Sequence, residues 1–301
     1  MLETPVVFMI FRRPELTRRV FERIARAQPR QLFIIADGPR NTAEMEYCQA
    51  TRTVVEQIDW DCDVRRNYAD ENMGLRARFA SGLNWVFEQV ETAIILEDDC
   101  IPDASFFEFC ETLLNKYSNN PNVMHISGAN FGYTRPANVD DSYYFTIHAH
   151  VWGWATWRRA WAHYDLDMKV WENPAVRRRV LRKHPWWIRH YWSNVLSAVH
   201  SRKINTWDYQ WLFSCLAHDG LCIMPFENLI SNEGTTPDSV HVFTSDSPYI
   251  GRPLSPVAFP LKHPGNLVAD QAAIWQSSVM QWKQSSLVAR IWKRIRRLLK
   301  S

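Results

Sequence analysis

The stretch that most restricts the fold is residues 93–99, where the apolar run Ala93-Ile94-Ile95-Leu96 is followed by three acids, Glu97, Asp98 and Asp99. An unbroken apolar run of this length is typical of a strand buried on both faces in a parallel sheet. Three adjacent carboxylates repel one another unless a cation or hydrogen-bond donors compensate them. Because open α/β sheets bind ligands at the carboxyl ends of strands, the stretch predicts a Mg²⁺ or Mn²⁺ site shared with a phosphate. The alternative is a solvated acidic turn.

Further strands and helices alternate around this stretch. Strands are predicted at 5–11, 31–36 and 63–68, and helices at 14–27, 42–58 and 75–90. This alternation predicts an α/β fold with a Rossmann-like, mostly parallel sheet flanked by helices. Parallel strands end at one edge of the sheet, so residues that follow different strands should lie close together there.

Two charged residues follow the first two strands and should share that edge with the acids. Arg13 can clamp a base or a phosphate, and Asp37 can accept a hydrogen bond from a nucleobase imide. Arg76, in the first turn of the helix after Gly74, is a candidate for diphosphate charge. For Arg76 a solvated helix face is the alternative.

Composition limits the other classes of function. The six cysteines contain no CxxC pair, which predicts reduced thiols in a cytosolic protein. No signal peptide is expected at the N-terminus, and no run approaches the ~18 apolar residues of a membrane span. After Asp270 there is no acid but there are seven bases, so the basicity indicates a surface contact rather than a nucleic-acid-binding fold.

The basic segment repeats apolar residues at helical spacing. Residues 285–300 place Trp292 on an apolar face and six bases opposite it. The pattern predicts a peripheral anchor on anionic lipid at the inner face of the cell membrane. The alternative is a helix that docks on the core. The predicted domains are 1–243, with a nucleotide-sugar half at 1–128 and an acceptor half at 129–243, then an extended connector at 244–284 and the helix at 285–301.

Five motifs occur in an order that resembles a known family. They are Val6–Phe11 with Arg12-Arg13-Pro14, Ile35–Arg40, Asn72-Met73-Gly74, Ile95–Asp99 and Thr206–Trp211. As a set they resemble bacterial GT-A-fold glycosyltransferases of the family 2 type, and the Glu-Asp-Asp form is similar to N-acetylglucosaminyltransferase I. The resemblance covers residues 5–241. It implies that Asp99 binds a divalent cation, Mn²⁺ or Mg²⁺, that Glu97 and Asp98 orient the ribose and donor sugar, and that Phe11, Arg13 and Asp37 belong to the donor site.

Asp208 is the candidate catalytic base. Inverting transfer needs a carboxylate that takes the proton of the attacking hydroxyl. The flanking Trp207 and Tyr209 can raise the pKa of that carboxyl and can stack on sugar rings. The alternative for Asp208 is an ordinary acid at a helix N-terminus.

The tryptophan-rich segment supplies the remaining candidates. Gly153 is expected to let the backbone approach the donor sugar, with Trp154 beside it. Trp152 and His150 are candidates for acceptor contact, although a core role is the alternative for both. His241 is the candidate late ligand of the metal or diphosphate, and His263 competes with it.

Together these residues predict an inverting, metal-dependent glycosyltransferase. The donor would be a nucleotide-diphosphate sugar, with UDP favoured over GDP or dTDP, and the acceptor a glycan hydroxyl that is free or lipid-linked. The closest rival is a sugar nucleotidyltransferase, which normally has a Gly-rich basic loop after its first strand, whereas this chain has Arg12-Arg13-Pro14. The non-enzymatic rival is a membrane-binding protein, which leaves the clustered acids unexplained.

Overall fold

The computed structural model describes residues 1–234 and 249–282. The predictions for His241 and for the amphipathic helix at 285–301 lie outside the described residues. None of the helices in the described part of the chain is long and apolar enough to cross a membrane.

Strands and helices alternate through the first 127 residues and then become less regular. The strands are β1 (Val6–Ile10), β2 (Gln31–Ala36), β3 (Asp63–Tyr68), β4 (Thr92–Glu97), β5 (Cys100–Pro102), β6 (Val123–Ser127), β7 (Tyr143–Thr146), β8 (Trp154–Trp157), β9 (Leu221–Pro225) and β10 (Ile230–Asn232). The helices are α1 (Pro14–Ala27), α2 (Thr42–Val54), α3 (Leu75–Phe87), α4 (Ala104–Lys116), α5 (Arg158–Trp161), α6 (Pro174–Arg182), α7 (Arg189–His200), α8 (Asp208–Ala217) and α9 (Gln271–Trp282). Short 3₁₀ turns lie at Lys169–Glu172 and Trp186–Ile188.

Within the described residues, one eight-stranded sheet has the order β3-β2-β1-β4-β8-β6-β9-β7. The pairs β1–β2, β2–β3, β1–β4 and β6–β9 are parallel, whereas β8 runs against both its neighbours and β7 against β9. The predicted α/β class, with a mostly parallel sheet flanked by helices, is confirmed. The parallel core carries β1 and β4 side by side, so their carboxyl ends lie next to each other.

The central strand β8 was missed by the sequence analysis. All four of its residues are buried. It pairs antiparallel with β4 on one side and with β6 on the other. This tryptophan-rich run of four residues shows neither a helical nor an alternating period, so its sequence predicts a loop.

A separate ribbon of two strands joins distant parts of the chain. In it β5 pairs antiparallel with β10, which brings Cys100 opposite Asn232. The backbone N–H of Glu233 then donates to the carbonyl of Asp99 at 2.9 Å. This ribbon places residues 230–234 directly against the three acids.

The extended connector predicted for 244–284 needs a correction in its second half. Residues 271–282 form α9, which packs on β7 and buries Ala273 and Ile274. The Asp270 carboxylate accepts from the backbone N–H of Ala273 at 3.0 Å and so caps the start of the helix. The Pro and Ser content that suggested a connector belongs to the residues before this cap.

Candidate active site

A cleft of about 840 Å³ lies at the carboxyl ends of β1, β2 and β4. Its wall combines four segments that are far apart in the sequence: the residues after β1, the turn after β2, the three acids, and the start of α8. Ten of the predicted site residues line it, namely Phe11, Arg13, Asp37, Glu97, Asp98, Asp99, His150, Trp152, Trp207 and Asp208. The topology therefore brings together most of what the sequence singled out.

Arg13 holds two of the three acids. Its Nη1 donates to Asp99 Oδ2 at 2.9 Å, and its Nη2 donates to Asp98 Oδ1. The backbone N–H of Phe11 donates to the other oxygen of Asp98 at 2.9 Å. The end of β1 and the end of β4 are thus locked together by charge-assisted hydrogen bonds.

The charge in this corner is only partly balanced. Burial, together with Asp99 and Asp98, raises the pKa of Glu97 well above its usual value. Burial also raises the pKa of Asp98 to about 6, although Arg13 opposes that shift. One guanidinium faces three carboxyl groups, so the corner carries excess negative charge whenever all three are ionised.

Asp99 is enclosed by the ribbon of β5 and β10. Its Oδ1 accepts from Asn232 Nδ2 at 3.3 Å. A Cβ placed on Gly234 would come within 2.1 Å of Asp99 Oδ2, so any larger residue would displace that carboxylate. Glycine at 234 therefore lets the backbone pack directly against the Asp99 side chain.

The donor set is compatible with a hard divalent cation that takes most of its ligands from phosphate and water. Mg²⁺ is commonly held by one or two carboxylates plus substrate phosphates, and a cation here would relieve the repulsion that raises the pKa of Glu97. In the residues that the structure describes, no three His, Cys, Asp or Glu side chains converge as a ready-made metal cage. Asp99 is therefore the residue that would hold the ion, and diphosphate would complete its shell.

Asp37 organises a turn rather than pointing unpaired into the cleft. Its carboxylate accepts from the backbone N–H groups of Gly38, Met73 and Gly74 at 2.9, 2.8 and 3.0 Å, and from Asn72 Nδ2 at 3.1 Å. A carboxylate has about four acceptor sites, and all four are in use. These contacts explain why Asp37 and Asn72-Met73-Gly74 occur together, and they count against direct base readout by Asp37.

The far end of the cleft pairs an aromatic ring with cations. The guanidinium carbons of Arg12 and Arg40 lie 5.8 and 5.9 Å from the centre of the Phe11 ring. Glu44 accepts from Arg40 Nε at 2.8 Å, and this contact lowers the pKa of Glu44 to about 2. The sequence analysis named Phe11 as a site residue but not Arg40 or Glu44. Both follow β2, so the predicted α/β topology already places them at the ligand-binding edge of the sheet.

Asp208 lies half-buried in the cleft wall as the first residue of α8. Its Oδ1 accepts from the backbone N–H of Tyr209 at 2.9 Å and from the Thr206 hydroxyl. Both donors contact the same oxygen, so Oδ2 is the oxygen left for a cleft ligand. Asp208 is also close enough to Glu97 to contribute to its raised pKa.

The wall opposite the acids consists of rings, and we call it the aromatic wall. Phe131 stacks on His150 at 4.0 Å between ring centres and contacts Trp152 and Tyr249 at 5.0 and 5.3 Å. Gln281 of α9 donates to His150 Nε2 at 3.3 Å. Phe131, Tyr249 and Gln281 were missed because they come from three segments with no shared motif.

Three predicted donor residues do not line the cleft. Arg76 donates to the carbonyl of Leu166 at 2.7 Å and to Asp167 Oδ1 at 2.9 Å. Gly153 has φ +56° and packs against Ile230, so it permits a close approach within the protein core. Their predicted contacts with a donor have no support from these positions.

Trp154, the third predicted donor residue that does not line the cleft, is fully buried. It stacks on Trp207 at 5.8 Å, and Trp207 in turn lines the cleft. Trp154 thus supports a cleft residue from behind. His263, the rival of His241, accepts or donates a hydrogen bond with the Tyr143 hydroxyl at 3.0 Å and is not among the cleft residues.

No known protein family matches the sequence, and no curated protein does. Similar solved structures include residues 1–349 of S. aureus TarS, with 7% identity and a TM-score of 0.40 over 76% of this chain and 60% of that one. Another is 4-diphosphocytidyl-2C-methyl-D-erythritol synthase from Anaerococcus prevotii DSM 20548, with 9% identity and a TM-score of 0.34 over 54% of this chain and 75% of that one. This chain therefore spans less than two thirds of the TarS fragment. At such low scores the function has to be argued from the site itself.

Proposed function

We propose that this protein is an inverting, metal-dependent glycosyltransferase that moves a sugar from a nucleotide-diphosphate donor to a hydroxyl of a glycan. The observation that carries the proposal is the composition of one cleft. An acidic corner held by Arg13 and a separate carboxylate, Asp208, face the same space and come from opposite ends of the chain. Such a pairing separates a site for the leaving diphosphate from a site for proton removal.

The donor would lie along the charged wall. Phe11, flanked by Arg12 and Arg40, offers a stacking surface for a nucleobase, and both guanidinium groups, which also pair with Glu44, add positive charge beside it. Glu97 lines the adjoining part of the cleft, where it can accept from ribose or sugar hydroxyls when ionised and can donate to them when protonated. UDP is favoured over GDP and dTDP as a prediction from the family resemblance.

Asp99 would hold the divalent cation, Mn²⁺ or Mg²⁺, together with the donor diphosphate. When bound, such an ion neutralises the charge that develops on the leaving diphosphate. Arg13 keeps Asp98 and Asp99 in place by direct hydrogen bonds. Asn232 and Gly234 fix the other side of Asp99.

Asp208 would act as the general base. Thr206 and the N–H of Tyr209 hold one oxygen of its carboxylate, which orients the other toward the cleft. That oxygen would take the proton of the acceptor hydroxyl as the hydroxyl attacks the anomeric carbon and the bond to the diphosphate breaks. The aromatic wall, with Trp152, His150 and Trp207, would hold the acceptor ring.

The turn between β1 and α1 counts against the nucleotidyltransferase alternative. β1 runs into α1 through Phe11, Arg12 and Arg13, with Pro14 as the first residue of the helix. No glycine lies in this turn, so it lacks the backbone cradle that typically binds a triphosphate. A carboxylate opposite the acids is moreover unnecessary for attack by a phosphate, which is already ionised.

The proposal is tested by thermal shift and by donor hydrolysis. Purified protein is incubated with a panel of nucleotide sugars, with and without Mn²⁺. A matching donor at a hundredfold excess over its Kd should stabilise the fold by about 2.7 kcal/mol. Slow, metal-dependent release of free sugar should accompany the shift.

Asp99→Asn separates the metal site from the rest of the cleft. The variant should keep its fold but lose the metal-dependent part of the thermal shift. Asp103→Asn, which removes a helix-capping carboxylate near by, is the matched control. Full metal-dependent stabilisation in Asp99→Asn would reject Asp99 as the metal ligand, and stabilisation by nucleoside triphosphates alone would favour the nucleotidyltransferase.

A further inference from the structure

A strongly basic surface lies outside the cleft, on α6 and the turn after it. Residues 174–190, here called the α6 patch, contain six Arg or Lys side chains and no acid. Arg177, Arg178, Arg179 and Arg182 are all exposed. Neither the fold nor the proposed chemistry uses this concentration of charge.

Most of these cations are not neutralised within the protein. In the described part of the chain Lys183 pairs with Asp219, and it is the one member of the patch with an acidic partner. Arg179 donates to the carbonyl of Ala217 at 2.5 Å and Arg177 to the Ser197 hydroxyl at 3.0 Å, and both partners are uncharged. The hydrogen bond from Lys183 and the charge of Arg179 both lower the pKa of Asp219. The other four cations of the patch have no acidic ion-pair partner among the described residues.

An exposed tryptophan lies within the same patch. Trp186 is 72% exposed, the highest value among the large apolar side chains of the described residues. Arg189 donates to the carbonyls of His184 and Arg182 at 3.0 and 3.3 Å and so closes the turn that carries Trp186. The next residue, Trp187, packs edge-to-face with Trp275 at 5.8 Å, and Trp275 is itself 49% exposed.

The patch adjoins the aromatic wall of the cleft. Trp192 lines the cleft six residues after Trp186 and stacks on His184 of the patch at 4.6 Å. On the other side, α9 carries both Trp275 and Gln281, which contacts His150. The surface and the predicted acceptor end of the cleft are therefore parts of one continuous face.

We propose that the α6 patch docks on a lipid bilayer with anionic headgroups, with Trp186 at the interface and the arginines on the phosphates. Charge complementarity selects an anionic partner. The exposed indole selects a bilayer over a dissolved polyanion, since Trp is stabilised at the boundary between apolar and aqueous phases. This inference does not depend on the proposed chemistry and rests on residues other than 285–301.

Vesicle sedimentation tests the charge. Full-length protein is mixed with phosphatidylcholine vesicles that contain or lack phosphatidylglycerol. Arg178→Glu combined with Arg182→Glu should lower binding to the anionic vesicles at least tenfold while the melting temperature and donor hydrolysis stay unchanged. Arg18→Glu combined with Arg26→Glu, on the exposed face of α1, is the matched control and should reduce binding far less.

A site-specific label tests the orientation. Trp186→Cys carries a fluorophore, and Met45→Cys on α2, at a position that is 55% exposed, carries the same fluorophore as a control. Anionic vesicles should shield the label at 186 from an aqueous quencher and leave the label at 45 accessible. Equal accessibility at both positions would overturn the proposal, as would displacement of the label signal by soluble polyphosphate with no shielding by vesicles.

Discussion

The two walls of the cleft are built on different physical principles. The charged wall, formed by residues 11–13, 37–44 and 97–99, fixes its side chains through ion pairs and hydrogen bonds to backbone N–H groups. The aromatic wall, formed by Phe131, His150, Trp152, Trp207 and Tyr249, fixes its side chains through ring contacts. Ten of the fifteen tryptophans lie between Trp152 and Trp211, and two of them, Trp152 and Trp207, belong to that second wall.

The charged wall and the aromatic wall should differ in how strictly they select a ligand. Charge-assisted hydrogen bonds have short range and strong directionality, so the charged wall suits a ligand with fixed phosphates and one orientation. Ring stacking depends mainly on area and tolerates rotation of the ligand. We therefore expect strict specificity for the donor and broader tolerance for the acceptor ring.

The largest effect is expected at Asp208, which lies between the two walls. Asp208→Asn should lower transfer by about 10²- to 10⁴-fold, because a general base typically contributes that much. The donor-induced thermal shift should change far less, since Arg13 holds Asp98 and Asp99 without any contact to Asp208. Initial-rate assays with saturating donor provide the measurement.

Asp219→Asn, at an exposed acid paired with Lys183, is the control for Asp208→Asn. If Asp208→Asn instead lost donor binding, Asp208 would belong to the charged wall. Unchanged turnover would mean that another group in the cleft acts as the base.

Removing the cation of the charged wall should cost the most stability. Arg13→Met leaves Asp98 and Asp99 buried without their partner, and breaking a buried ion pair in this way costs about 3–5 kcal/mol. Urea denaturation at neutral pH measures the loss. Arg19→Met, which breaks a solvent-exposed pair with Glu233, should cost no more than about 1 kcal/mol.

If Arg13→Met and Arg19→Met were equally mild, the three acids would not depend on Arg13. The idea that the charged wall is held by ion pairs would then fail. A second substitution, Asp98→Asn, added to Arg13→Met should recover part of the stability, because it removes one of the uncompensated charges.

The stability of the aromatic wall should depend on pH through the buried histidines behind it, since His148 packs against His150 and His184 packs against His148. Burial lowers the pKa of His148 to about 3 and that of His184 well below its usual value. Protons then bind the unfolded chain but not the native one, so this stability is fully present above about pH 6.5 and decreases as the pH falls toward 3. Both ring nitrogens of His184 lack a hydrogen-bond partner among the described residues.

His184→Phe removes this penalty for one imidazole. The variant should match or exceed the wild type at pH 7, and its advantage should grow by about 1.4 kcal/mol for each pH unit below 6.5. Denaturant melts at pH 7 and at pH 5 measure the difference. His190→Phe, at an exposed position, should show no such trend, and the same trend in both variants would contradict the burial argument.

The smallest effect is expected at Arg40, at the end of the charged wall where a nucleobase would stack on Phe11. Arg40→Met should destabilise the fold by about 1 kcal/mol at pH 7, because Arg40 holds the pKa of Glu44 near 2. The stabilisation is present above the unfolded pKa of about 4.5 and is lost as pH falls toward 2. The gap between Arg40→Met and wild type should therefore be smaller at pH 3.5 than at pH 7 and should close only near pH 2, whereas a constant gap would mean that Arg40 acts through packing.

The first half of the fold could be predicted from the sequence because local pattern and tertiary role agree there. Helix α1 has Val20 and Ile24 on one buried face and arginines outside, and β1, β2 and β4 are continuous apolar runs. The positions of Arg13, Asp37 and Asp99 followed from the rule that parallel strands end at one edge. Those predictions needed no contact information beyond strand order.

The second half could be predicted only in part, since its structure depends on contacts between distant segments. β8 is four residues long and owes its pairing to β4 and β6, and α9 owes its stability to β7. Arg78 illustrates the same limit within the first half. Its residue type is typical of a solvated helix face, but it is buried and donates to the carbonyl of Ala36 and the amide oxygen of Asn67 at 3.2 and 2.9 Å.

The pairing of β5 with β10 also orders events during folding. The two strands join residues about 130 positions apart, so their contact forms only after most of the chain has been synthesised and collapsed. Until then Asp99 lacks Asn232 and Gly234, and the acidic corner has one open side. During synthesis the nascent chain can form the first strands of the sheet but not the complete cleft. The protein therefore becomes able to bind a ligand in the last steps of folding, not when its first half folds.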